Sequence, residues 1–267
     1  PHYDYAGTDY TARSTAGRRI GIVVDRKRKR GKKGSSIKLT FNPRKCIVAN
    51  PGAADCEIGS KRTQLQTNHW YPTNKALVFN FSVWKNKVAT KSTWDTGPLF
   101  FELKPEIEAE LGINHGPTLK ILLHPKTREI QYVISNCKYK PGVDCSGPKD
   151  IVRTIGKWRY GKWHDFKIET NQTPKANGYV RVTLNGKSVL NYKGKTTDAN
   201  YAKPTYWLGP YLCGGCNQGG SIASNEPNHS FWFDKVSSEI VTGFEVTTPN
   251  GGEKWKTKKK YAIKWNK

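Results

Sequence analysis

The chain has 267 residues, of which 36% are hydrophobic and 12% aromatic, enough to build a packed core and to exclude global disorder. Its 45 Lys and Arg stand against 21 Asp and Glu, a formal charge of +24 that attracts polyanions and repels polycations. No apolar run approaches the roughly 18 residues that cross a bilayer, so no membrane partner is expected.

The first elements flank a basic run. Residues 26–33 read Arg-Lys-Arg-Lys-Arg-Gly-Lys-Lys, between strand-like segments at Arg19–Val24 and Ser36–Phe41. That context predicts a solvated hairpin loop facing a polyanion. Lys61–His69 follows as a polar strand. Alternation there puts Arg62, Gln64, Gln66 and Asn68 on one face and Thr63, Leu65 and Thr67 on the other. Alternating runs continue at Leu77–Trp84, Leu119–Leu123, Ile130–Ser135, Phe166–Thr170 and Tyr179–Leu184. The last of these leads through Asn185-Gly186 into Ser188–Tyr192, the strongest short hairpin signal. Pro105–Leu111 is the best helix candidate, with Pro in the first turn. Many short strands and few helical pieces predict an all-β jelly roll, a concanavalin-like sandwich.

Six cysteines form three local couples, Cys46 with Cys56, Cys137 with Cys145, and Cys213 with Cys216, separated by ten, eight and three positions. Short disulfide-closed loops fit this pattern; a zinc site would need a second close pair or a His pair, and neither is present. Asn-x-Ser/Thr sequons begin at Asn80, Asn171 and Asn228. Both signals predict a secreted, extracellular protein, which favours acidic glycan over nucleic acid as partner. The chain starts at Pro1 without Met and reads as a processed or trimmed product.

Residues 1–243 are read as one domain. From 244 to 267 the character changes: Thr248-Pro-Asn-Gly-Gly-Glu253 is followed by Trp255, Tyr261, Ile263 and Trp265. This resembles the opening of an immunoglobulin-like module of multi-modular secreted proteins. About 22 residues cannot bury a core alone. The expectation is a monomer belonging to a larger chain and truncated inside its second module.

Three segments carry a further resemblance: Gly59-Ser-Lys-Arg-Thr-Gln-Leu-Gln66; Gly161-Lys-Trp-His-Asp-Phe-Lys-Ile168 with the Asn-Gly hairpin; and Tyr206-Trp-Leu-Gly-Pro-Tyr211 trailed by Phe231-Trp-Phe-Asp-Lys-Val236. In this order they resemble polysaccharide lyases of the glucuronan-lyase and heparin-lyase-I type. They also resemble a secreted, cellulose-induced fungal protein of the same fold. The resemblance implies a jelly roll with a long glycan groove and β-elimination of a polyuronate: glucuronan, alginate or a glycosaminoglycan. The third segment departs from the family pattern, with Leu208 in place of a basic residue and Leu212 after the Tyr. The rival reading is a non-catalytic carbohydrate-binding module with the same groove.

A uronate lyase must neutralise the substrate carboxylate, remove the C5 proton and protonate the leaving oxygen. Arg62 offers a bidentate fork and Gln66 an amide to the carboxylate. Tyr211 is the candidate base and acid, and His69 the alternative base. Gln64, Asn68, Tyr132 and Lys120 are expected to contact substrate. His164 is read as a strand residue. No carboxylate pair of the kind glycoside hydrolases use is evident, and Glu102 and Asp165 stand without supporting context. No cofactor is required for this chemistry. In the jelly-roll group a structural calcium ties the terminal strands, and Asp234 matches its acidic position.

Overall fold

The computed structural model describes residues 2–5, 8–14, 22–31, 34–41, 61–67, 71–87, 98–105, 118–124, 126–135, 150–197, 204–212, 228–241, 245–248 and 264–266. Two antiparallel sheets face each other. The eight-stranded sheet has the spatial order β1 (His2–Tyr5), β2 (Thr8–Ser14), β5 (Lys61–Thr67), β14 (Pro204–Leu212), β7 (Leu99–Pro105), β8 (Leu119–Leu123), β9 (Glu129–Ile134) and β10 (Ile151–Lys157). The seven-stranded sheet runs β13 (Lys187–Lys193), β12 (Tyr179–Leu184), β11 (Trp163–Asn171), β6 (Ala76–Lys85), β15 (His229–Val241), β4 (Ser36–Phe41) and β3 (Ile22–Asp25). A separate two-stranded sheet pairs β16 (Glu245–Thr248) with β17 (Lys264–Asn266). Hairpin neighbours such as β8–β9 and β11–β12 alternate with non-consecutive ones, β5–β14, β14–β7, β11–β6, β6–β15 and β15–β4, which need the long connections of a jelly roll.

Between the sheets lies an aromatic core. Phe81 stacks on Phe166 at 5.0 Å and on Phe101 at 5.6 Å between ring centroids. Phe79 meets Tyr206 at 4.9 Å, and Phe100 packs edge-on against Trp158 at 5.6 Å. All of these rings are buried. Offset and edge-on pairs add about 0.5–1.5 kcal/mol each beyond the area they bury.

Strand alternation is realised closely. Tyr179–Leu184 and Leu119–Leu123 are strands with the expected bounds. Asn185 and Gly186 have φ of 51° and 78°, the paired positive values of a type I′ hairpin turn. The Asn185 side chain also accepts a hydrogen bond from the Asp165 N–H at 2.9 Å. There is no helix among the described residues. Pro105 closes β7, and the rest of the expected helix, 106–111, lies outside them.

The described part of the basic run, Arg26–Gly31, lies in the loop after β3, and two of its arginines contact the sheet. Asp25 accepts the Lys27 and Arg28 N–H groups and the Trp232 indole N–H. The Arg28 guanidinium sits 3.7 Å from the Trp84 ring centroid and 4.5 Å from that of Trp232, a cation–π contact on the outer face of the seven-stranded sheet. Arg30 forks onto Asp165, Nε to Oδ1 at 3.1 Å and Nη2 to Oδ2 at 2.8 Å. Two of the run's arginines are thus spent fastening the loop to its own sheet.

The same clasp bears on the calcium expectation. Asp234 Oδ2 accepts the Arg30 N–H at 2.5 Å and Oδ1 accepts the Lys235 N–H at 2.7 Å. The Arg30 guanidinium also interacts electrostatically with this carboxylate. Among the described residues no three His, Cys, Asp or Glu side chains group as a metal site needs. Both Asp234 carboxylate oxygens thus accept backbone N–H groups of this clasp.

Arg30's fork is the main cause that holds the Asp165 carboxyl below its usual range, with the Ser82 hydroxyl adding a hydrogen bond and burial opposing both. A depressed carboxylate contributes stability above its unfolded pKa, near 3.9, and loses it as pH falls through the folded value. Both partners are about 40% exposed, so the pair contributes on the order of 0.5–1 kcal/mol. Asp165→Asn should therefore lower Tm by about 2 °C at neutral pH. In thermal unfolding followed against pH, that gap should close below about pH 4.

Candidate active site

The site is built from residues on the face of the eight-stranded sheet that points away from the core. On β5, Leu65 belongs to the core and the Thr63 hydroxyl donates to the Thr40 carbonyl of the other sheet at 2.8 Å. Alternation then turns Gln64 and Gln66 to the opposite face. On β14 the core takes Tyr206 and Leu208, which turns Trp207 outward. On β7 it takes Phe101 and Leu103, which turns Glu102 outward.

Ladder register then assembles two rows across the sheet. One row runs Thr11, Gln66, Trp207, Glu102, Lys120 and Val133. The other runs Arg62, Tyr211, Leu99, Leu122 and Gln131. Arg62 and Tyr211 are directly opposed in the ladder although 149 positions apart in sequence. Tyr211 is half-buried, and so is Gln66.

The strand carrying Tyr211 is irregular where it meets β7. Against β5 the register is unshifted but skips Gly209 and Pro210, while against β7 it shifts between Leu208 and Tyr211. Gly209 sits there at φ +130°. A Cβ at this position would lie 2.3 Å from the Thr63 carbonyl oxygen and 2.7 Å from a Leu39 methyl. Only glycine fits.

Gln64 and Glu102 are buried on this outer face and bonded to each other, Nε2 to Oε1 at 2.9 Å. Gln64 Nε2 also reaches the Gly209 carbonyl at 3.4 Å. With its N–H donors directed at protein acceptors, Gln64 does not present them to a substrate carboxylate, which corrects the expected contact. Trp207 is buried beside it, its indole N–H donating to Thr205 Oγ1 at 2.8 Å. The Lys104 ammonium lies 5.7 Å from the Trp207 ring centroid. Lys120 is on the outer face, paired with Asp150 at 3.5 Å.

Tyr132 is a second correction. It is fully buried on the core face of β9, opposite Ile121, and burial raises its phenol pKa well above the ordinary value. It lines no groove. His164 is a buried strand residue stacked on Trp158 at 4.4 Å, its pKa lowered chiefly by burial. Asn68, His69 and all six cysteines lie outside the described residues. Lys104 and Trp207, not among the expected site residues, join this face, and Glu102, read as a carboxylate without context, stands buried on it. Strand β2 also sets Arg13 opposite Gln64 in the ladder. The signal for Glu102 and Lys104 was there in the alternation of Phe101-Glu-Leu-Lys104.

Comparison with known proteins follows from this geometry. The family model described as polysaccharide lyase matches residues 12–237. No curated protein sequence matches the chain. Among solved structures, the endo-β-1,4-glucuronan lyase of the fungus Trichoderma reesei superposes with a TM-score of 0.66 at 16% identity, covering 88% of this chain and 92% of that one. The alginate lyase AlyC3, solved with dimannuronate, gives 0.54 at 12% identity, over 83% and 89%. The cellulose-induced protein Cip1 gives 0.46 at 12% identity, over 86% and 90%, and no argument rests on it.

Gly209→Ala should lower stability by about 2 kcal/mol or more, because a methyl forced against backbone oxygen cannot be relieved by a rotamer change. Chemical denaturation should show the loss, and the folded fraction should be impaired in turnover. An alanine variant as stable as wild type would contradict the close approach.

Proposed function

This chain belongs to the polysaccharide lyase family and is a polysaccharide lyase, and from that premise we propose that it cleaves a uronic-acid polysaccharide, glucuronan-like, by β-elimination. The supporting observation is the ladder pair of Tyr211 and Arg62 on the outer face of the eight-stranded sheet. In this reading the register brings a phenol able to move protons and a carboxylate-binding arginine to opposed positions on neighbouring strands. The two strongest structural likenesses described above are to enzymes named for glucuronan and for alginate, both polyuronates.

In this reading the roles follow from what each group can do. The uronate carboxylate must lose much of its charge before the C5 proton becomes acidic enough to remove. Arg62 and Gln66 answer that need; Gln64 is committed elsewhere. Tyr211 takes the C5 proton. The electron pair forms the C4–C5 double bond as the C4–O bond breaks, and the leaving oxygen receives a proton, returned by the same phenol. One tyrosine serves both steps when proton and leaving group lie on one side of the sugar. Lys104 and Lys120 add positive charge to the face without moving protons. The sequons and the cysteine couples support action outside the cell.

The test is a pair of variants assayed for the conjugated double bond by ultraviolet absorbance, on glucuronan, polymannuronate and polyguluronate. Tyr211→Phe keeps the ring and loses only the hydroxyl. Its kcat should fall at least about 10²–10⁴-fold while polymer binding survives. Arg62→Ala should raise KM and lower kcat together, since it holds the carboxylate in both ground and transition states. Near-wild-type elimination by both variants would refute the site, and a wild type inactive on all three polymers would refute the substrate class.

A further inference from the structure

We propose that Glu102 is a positioning residue for the reaction centre, acting through Gln64 and the Gly209 carbonyl on the segment that carries Tyr211. The proposal rests on the reading of Tyr211 as the proton-moving group.

Glu102 and Gln64 stand on β7 and β5, the two strands that flank β14. Their 2.9 Å hydrogen bond therefore closes over β14 from both sides. Both side chains are buried, 2% and 0% exposed, at a place where a charged and an amide group have no structural need to be. A carboxylate only accepts, so Glu102 dictates which end of the Gln64 amide is nitrogen. That orientation aims the second N–H of Nε2 at the Gly209 carbonyl, 3.4 Å away. The Gln64 Oε1 has no hydrogen-bond partner among the described residues, the cost of fixing the amide this way round.

Gly209 is where β14 most needs such support. The next residue, Pro210, has no N–H to give to a ladder. On the β7 side the register slips across these two residues. Gly209 itself occupies a φ of +130° that ordinary ladder pairing does not stabilise. The segment leading into Tyr211 thus has fewer backbone bonds than a regular strand, and a side-chain donor from Gln64 stands in for one of them. Losing Glu102 frees the Gln64 amide to turn over, which would set an oxygen against the Gly209 oxygen and push the segment away. A displacement of about 1 Å at a catalytic group is worth up to about 100-fold in rate.

The experiment uses the full chain and whichever of glucuronan, polymannuronate and polyguluronate it cleaves fastest. Glu102→Ala should lower kcat by about 10- to 100-fold and leave KM within about twofold. Glu102→Gln, whose amide oxygen still accepts from Gln64, should recover to within about threefold of wild type. In a Tyr211→Phe background, Glu102→Ala should cost little more, because both changes disable the same step. Glu102→Gln as impaired as Glu102→Ala would overturn the proposal, since the charge or proton of Glu102 would then be what matters. An effect on KM alone would make Glu102 a substrate contact, and full additivity with Tyr211→Phe would place its action elsewhere; either overturns it.

Gln64→Leu carries the same kcat expectation and replaces Glu102→Ala if that variant does not fold. If neither folds, the pair serves stability alone and the proposal fails. The two readings fail separately. An active Tyr211→Phe defeats the assignment of the base, whereas an inactive Tyr211→Phe beside a fully active Glu102→Ala defeats only the positioning.

Discussion

The aromatic core between the sheets is the constraint on which the rest depends. Phe79, Phe81 and Phe166 from one sheet meet Phe101 and Tyr206 from the other, with every ring buried. Strand side chains repeat with period two, so a strand whose core face is fixed has its other face fixed as well. Tyr206 and Leu208 in the core oblige Trp207 to face outward, and Leu65 does the same for Gln64 and Gln66. A slip of one residue in β5 or β14 would bring Gln64 or Trp207 into the core and take Leu65 or Tyr206 out of it. The chemistry-bearing face is held in register by the apolar one, at about 1.5–3 kcal/mol for each large side chain kept from water.

The charge of the chain divides between the two sheets in different ways. On the seven-stranded sheet, Arg28 lies on tryptophan and Arg30 is forked onto Asp165, so these cations are occupied with holding the β3–β4 hairpin. On the eight-stranded sheet, Arg62 stands opposite Tyr211, Lys104 lies near Trp207, and Lys120 projects from the same face. Net charge alone therefore does not say which positive groups are available on each face. On the outer face of this sheet the buried acid Glu102 is bonded to an amide.

Much of the fold was legible because strands and hairpins write local signals. The alternation at Tyr179–Leu184 and the Asn185-Gly186 dipeptide are decided by residues next to one another. The even-numbered face of β5 was legible for the same reason. The Gln64–Glu102 bond spans 38 positions and needs β14 to come between the two strands, so nothing local announces it. The fate of Arg30 was hidden likewise, its partner being 135 positions away. Tyr132 was different: Ile130, Tyr132 and Ile134 share one face and Gln131 the other, so the alternation itself placed the phenol in the core. Its polar oxygen suggested a groove, but a ring that size is drawn inward by its area.

The central claim is that the outer face of the eight-stranded sheet, between β5 and β7, is where the polymer is held and cut. The most direct measurement is a crystal structure of the Tyr211→Phe protein with a uronate oligosaccharide. The account predicts an oligosaccharide lying across β5, β14 and β7, one sugar carboxylate on Arg62 and Gln66, and that sugar's C5 hydrogen facing the ring at position 211. An oligosaccharide seated instead on the seven-stranded sheet, against Trp84 and Trp232, would contradict it.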